Sequence, residues 1–145
     1  MTQTISLTTK VVKSADGTSI HAQAAGSHSN PAVICIHGFA STSFAFSKQF
    51  SNPALLETVY LVAYDVRGNG RSDRPVDEES YISERLAEDF KAVCEAFRVV
   101  RPIVLGWCAH HSFLASIALT LTAWIMPQES RRYVYGLTMR PQVER

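Results

Sequence analysis

The segment Ala32-Val33-Ile34-Cys35-Ile36, between Pro31 and the pair His37-Gly38, constrains this chain more than any other feature. It is apolar at odd and even positions alike, so both faces of an extended strand would have to be covered. That is the condition of a strand inside a parallel sheet with helices on either side. The run is too short for an ordinary buried helix, and Gly38 closes it. Around it the chain supplies the remaining parts of an α/β layer structure. Lys10 to Lys13 and Ser19 to Ala25 flank Ser14-Ala15-Asp16-Gly17, whose Asp-Gly pair predicts a hairpin because both residue types tolerate positive φ. Further strands are expected at Tyr60 to Tyr64 and at Pro102 to Leu105.

Helices fill the intervals. Ser41-Thr42-Ser43 offers N-caps for a short helix through Phe50. From Ser80 or Ser83 to about Phe97, Leu86, Phe90, Val93 and Phe97 recur at helical spacing, with Glu84, Arg85, Glu88, Asp89 and Lys91 assigned mostly to the other side. Alternating strands and helices imply right-handed crossovers, hence a three-layer α/β/α half-domain of parallel strands behind an antiparallel hairpin.

The chain carries 14 Lys+Arg against 13 Asp+Glu, a formal charge of +1, which leaves no electrostatic footprint for nucleic acid or an anionic membrane. The apolar stretch Phe113 to Met126 is interrupted by Ser116, Thr120 and Thr122 and falls short of the ~20 residues of a membrane span, so it is read as a buried helix. Met1 to Lys10 has no apolar core of a leader. Cys35, Cys94 and Cys108 form no paired framework, which suggests a reducing, cytoplasmic setting, with Cys35 and Cys94 as core packing.

In doubly wound sheets chemistry collects just beyond the carboxyl ends of the strands. Three such junctions are informative: His37-Gly38-Phe39-Ala40, Asp65-Val66-Arg67-Gly68-Asn69-Gly70-Arg71-Ser72-Asp73, and Gly106-Trp107-Cys108-Ala109-His110. At the first, Gly38 lets the chain turn and leaves the Phe39 N–H free to face a developing oxyanion. His37 is read as holding that loop by hydrogen bonds. At the second, Gly68 and Gly70 permit a tight loop that Asp65 and Arg67 could brace by pairing charges. A phosphate cradle in Arg67 to Arg71 is disfavoured, since no Gly-Lys-Ser/Thr follows.

In this order and at these separations the segments resemble the α/β-hydrolase superfamily, of the AB hydrolase-1 type, from about Val11 to Trp107, especially its esterase, epoxide-hydrolase, dehalogenase and perhydrolase branches. The resemblance implies hydrolysis of an ester or related bond in a small molecule, with an oxyanion hole from the backbone at Phe39 and Ala109 and a nucleophile at the position of Cys108. It implies no cofactor and no metal. His37, Gly38, Asp65, Arg67, Gly68 and Gly70 would belong to the structural loops.

The third junction departs from the family elbow Gly-x-Ser-x-Gly. Cys108 can serve as a nucleophile at a helix N-terminus, but His110 stands where a glycine normally lets that helix pass the neighbouring strand. After Cys108 there is no Asp, the only carboxylates are Glu129 and Glu144, and the only histidines are His110 and His111. Family order puts the acid and the base after the nucleophile, so the chain reads as the truncated or mis-spliced N-terminal half of a hydrolase and as catalytically incomplete. Two other readings remain open: a weak Cys108–His111 hydrolase, and a non-catalytic remnant binding a ligand or self-associating through an open sheet edge. A metal site from Cys108, His110 and His111 with Cys35 and His37 is disfavoured, because positions i, i+2 and i+3 do not converge on one helix face. The expected division is a truncated hydrolase domain over 1–126 and a divergent tail over 127–145, the latter adding no strand.

Overall fold

The computed structural model describes residues 5–107. The sheet opens with β1 (Thr8–Lys13) and β2 (Ser19–Ala25), paired antiparallel from Lys13↔Ser19 outward. Their turn is closed by Gly17 N–H to Ser14 O (2.9 Å) and by Thr18 N–H to the Asp16 carboxylate (3.0 Å). Only Gly17, at φ +86°, takes the left-handed conformation; Asp16 does not, because its side chain caps the turn from an ordinary backbone geometry.

β3 (Ala32–Ile36), β4 (Tyr60–Tyr64) and β5 (Ile103–Gly106) follow, giving the sheet order β1-β2-β4-β3-β5. β2 pairs β4 antiparallel, while β3 lies parallel to both β4 and β5. The strands stand where the sequence predicts them, with β5 displaced by one residue and β1 beginning two residues early, at Thr8.

Between β3 and β4 the chain makes a 3-10 turn over Ser43–Phe46, then α1 (Ser47–Phe50) and α2 (Pro53–Leu56). Thr42 caps the 3-10 turn. The sequence reading anticipated one helix here and missed α2, although its signature was present: Asn52 accepts from Leu55 N–H (3.2 Å) and Pro53 opens the helix, where its missing N–H costs nothing. Between β4 and β5 runs α3 (Ser83–Ala96).

The two crossovers lie on opposite faces, and strand periodicity divides the core accordingly. Tyr60, Val62 and Tyr64 of β4 pack with Ile34 and Ile36 against Phe90, Val93 and Phe97 of α3. Leu61 and Ala63, one residue out of phase, pack with Cys35 against Phe46, Phe50 and Leu56. Every residue of β4 is buried, as a central strand requires. Asp89 departs from expectation: it is 1 % exposed and faces inward. The observed spacing explains it, since Leu86, Asp89, Phe90, Val93 and Phe97 follow i, i+3, i+4, i+7, i+11 and Asp89 sits within the buried stripe. Among the described residues no helix is long and apolar enough to cross a membrane. Phe113 to Met126 and the tail from Gln128 lie outside the described residues.

Candidate functional site

The first two junctions, and Gly106-Trp107 of the third, lie at the carboxyl ends of β3, β4 and β5. The first is held by His37, buried at the tip of β3. The N–H of Val66, just after β4, donates to His37 Nε2 (2.9 Å), so the ring proton resides on Nδ1 and is donated to Gly38 O (2.8 Å). One neutral imidazole thus ties the loop after β3 to the loop after β4. Both ring nitrogens are occupied in doing so.

Beyond His37 the chain turns sharply. Ser41 N–H returns to Gly38 O (3.3 Å), and Ala40 takes φ +52°, an uncommon conformation for a residue with a Cβ. Phe39, at the apex, is 98 % exposed, and its N–H makes no hydrogen bond among the described residues. A free backbone donor at a strand's carboxyl end is suited to a developing negative charge. Trp107 N–H donates to Ile36 O (3.0 Å), bringing the end of β5 alongside the base of this turn. Cys108 and Ala109, the expected nucleophile and second oxyanion donor, lie outside the described residues, as do His110 and His111.

The expected pairing of Asp65 with Arg67 does not occur. The two side chains, separated by Val66, turn to different partners. Asp65 turns toward the loop after β3, accepting from Ser43 N–H (2.7 Å) and Arg71 N–H (2.9 Å), with His21 Nδ1 3.6 Å away. Burial by itself would raise its carboxyl; the N–H groups of Arg71 and Ser43 and the nearby His21 outweigh it and hold the group below its ordinary value. Gly70, at φ +53°, passes so close that a Cβ would collide with the Asp65 carboxylate. Ser72 Oγ donates to Asp65 O and accepts from His21 N–H (2.9 Å), tying the same loop to β2.

Arg67 turns the other way and is 1 % exposed. It makes a two-pronged bond to Asp89 of α3 (Nε–Oδ2 2.7 Å, Nη2–Oδ1 2.6 Å), and its Nη1 reaches Asp16 of the β1–β2 turn (2.8 Å) and Ser80 O (2.7 Å). The Arg67 bond holds the Asp16 carboxyl well below the usual range. Burial pushes the Asp89 carboxyl up against the pull of Arg67. Sequence reasoning missed Asp16, His21 and Asp89 as braces. For Asp89 the available signal was an acid at an apolar-stripe position; nothing in the sequence singled out His21.

Cys35 is buried with its thiol raised to about 11, and Cys94 is buried with its thiol raised to about 12, both by desolvation. Neither is poised as a thiolate. No cluster of potential metal ligands occurs among the described residues.

Residues 31–109 match the family described as alpha/beta hydrolase fold. Among curated proteins, an epoxide hydrolase from Caballeronia sordidicola is 30% identical over 86% of this chain and 35% of its own length. Epoxide hydrolase B of Mycobacterium tuberculosis is 32% identical over 77% of this chain and 30% of its own length. Among solved structures, an epoxide hydrolase from an endophytic Streptomyces superposes with a TM-score of 0.68 at 29% identity, covering 78% of this chain and 33% of that one. An esterase from Exiguobacterium antarcticum gives 0.64 at 26%, covering 80% and 40%. The chain therefore spans about a third of the length of the curated relatives it matches.

Proposed function

Since the chain belongs to the α/β-hydrolase family, we propose that these 145 residues carry the oxyanion-stabilising part of a site for hydrolysing a small neutral molecule, and that by themselves they do not complete it. The observation that carries this reading is the Phe39 N–H, without a partner among the described residues, on a turn that His37 ties at Gly38 to the loop after β4. Acyl transfer also needs a nucleophile, a base to activate it and a group to orient that base. His37 is unsuited to be the base, because both its nitrogens serve the backbone. Asp65 serves the loops instead, each of its carboxylate oxygens accepting from a backbone N–H, at Ser43 and at Arg71.

The relatives' names include epoxide hydrolases and an esterase, and the chemistry of Cys108 favours the second activity for a site built on it. A thiolate opening an epoxide forms a thioether, which water does not cleave. A thiolate attacking an ester expels the alcohol and forms a thioester, which water hydrolyses to the acid with return of the thiol.

The test is turnover of a short-chain aryl ester by the purified chain beside Cys108→Ala. Hydrolysis at the buffer rate in both is expected. Turnover above buffer that vanishes in Cys108→Ala would overturn the reading of an incomplete site and establish Cys108 as a working nucleophile.

A further inference from the structure

At the end of the sheet opposite this site, where β3, β4 and β5 begin, a cavity of about 400 Å³ is lined by His28, Pro31, Tyr60, Arg98, Arg101 and Ile103 among others, and by no acidic residue. Three features of its lining, in which both arginines are exposed, bear on what it could hold.

The first is Arg98. α3 ends in a pair of bonds, Arg98 N–H to Glu95 O (3.1 Å) and Val99 N–H to Cys94 O (2.8 Å), which place Arg98 at the left-handed position just past the helix. Its φ is +53°. The backbone there favours glycine or asparagine, and a long side chain is disfavoured. A cation near a helix C-terminus has some merit of its own. That does not extend to Arg101, which lies beyond the last turn and is also left-handed, at φ +56°. The second feature is that neither guanidinium meets a carboxylate or any hydrogen-bond acceptor among the described residues. The third is Tyr60. The residue is 4 % exposed, its hydroxyl makes no hydrogen bond among the described residues and is not closed off from the cavity, and the His28 ring lies against its ring at 4.0 Å between centroids.

We propose that this cavity binds a phosphate group, free or carried on a small organic molecule. Two unpaired guanidiniums present forked donors that match a phosphate's oxygens, and the Tyr60 hydroxyl and His28 add further polar contacts. Pro31, Ile103 and the aromatic pair offer apolar surface to an organic substituent. The site is separate from the Phe39 loop, so it stands whether or not the hydrolase reading does.

Calorimetric titration of the full chain with inorganic phosphate, phenyl phosphate and phenol tests it. Saturable binding of both phosphates and none of phenol is expected. Tighter binding of phenyl phosphate would identify a phosphomonoester as the ligand; equal binding would identify free phosphate. Arg98→Asn combined with Arg101→Asn should weaken phosphate binding at least tenfold. Asparagine tolerates positive φ, so this variant should keep the fold, as checked by far-UV circular dichroism. Lys48→Gln, which removes an exposed charge elsewhere, should change affinity less than twofold. No saturable phosphate binding, or equal weakening by Lys48→Gln, would overturn the proposal.

Discussion

Asp65 shows how a single carboxylate positions a loop through backbone contacts alone. It takes N–H groups from the turn after β3 and from the glycine-rich loop after β4, so both loops that frame the candidate site are registered on one buried charge. Because its folded-state affinity for a proton is below that of the unfolded chain, its contribution to stability is complete above about pH 4 and is lost as pH falls through the folded value. Asp16 acts in the same direction, and Asp89, whose carboxyl is raised, in the opposite one. Asp65→Asn should lower stability by about 2–3 kcal/mol at pH 7 and flatten the acid limb of the stability–pH curve, as urea denaturation between pH 7 and pH 3 would measure. An unchanged acid limb would remove Asp65 from this role. Gly70→Ala should destabilise by about 1–3 kcal/mol through the same contact, because the new Cβ must displace the carboxylate and adopt a left-handed φ.

Among the elements, α3 is joined to the sheet by two different kinds of interaction. Its apolar stripe packs on β4, and Asp89 on the same face meets Arg67. The charged pair is costly to desolvate, and its geometry is tight enough that removing one partner leaves the other stranded. Arg67→Met alone and Asp89→Leu alone should each cost about 3–5 kcal/mol, while the double variant should cost clearly less than their sum. Additive losses in denaturant melts would mean that Asp89 and Arg67 act independently. Arg67 also reaches Asp16 in the β1–β2 turn, so Arg67→Met should loosen that turn as well, which raised amide exchange at Thr18 would report.

For the molecule as a whole, protection should follow strand position. β4 is bonded on both sides and buried throughout, whereas among the described residues β1 is paired only to β2 and is mostly exposed. Amides of Leu61 to Ala63 should therefore exchange at least about tenfold more slowly than those of Thr9 to Val11 in native-state hydrogen exchange. Comparable rates would argue against β4 as the centre of a mixed sheet. The pattern matters for function because the described loops of the candidate site spring from the carboxyl ends of β3 and β4, the latter being the strand expected to exchange slowest.

The sequence by itself determined the strands and the long helix, because a run apolar at every position, or apolar every third and fourth, can bury its surface in only one way. It also pointed to where chemistry is expected, since glycine and polar residues crowd the strand ends. Which charges met was decided by tertiary structure. Asp65 and Arg67 are two apart, and the spacing invites a pair. Yet Asp65 bonds backbone N–H groups at Ser43 and Arg71, and Arg67 bonds side chains at Asp16 and Asp89. All but Arg71 come from other parts of the chain, up to 51 residues away, and the choice among them depends on which way each side chain leaves the strand end. Hydrophobic periodicity is a local property of the chain and can be read along it; the pairing of buried charges depends on geometry that exists only once the layers have closed.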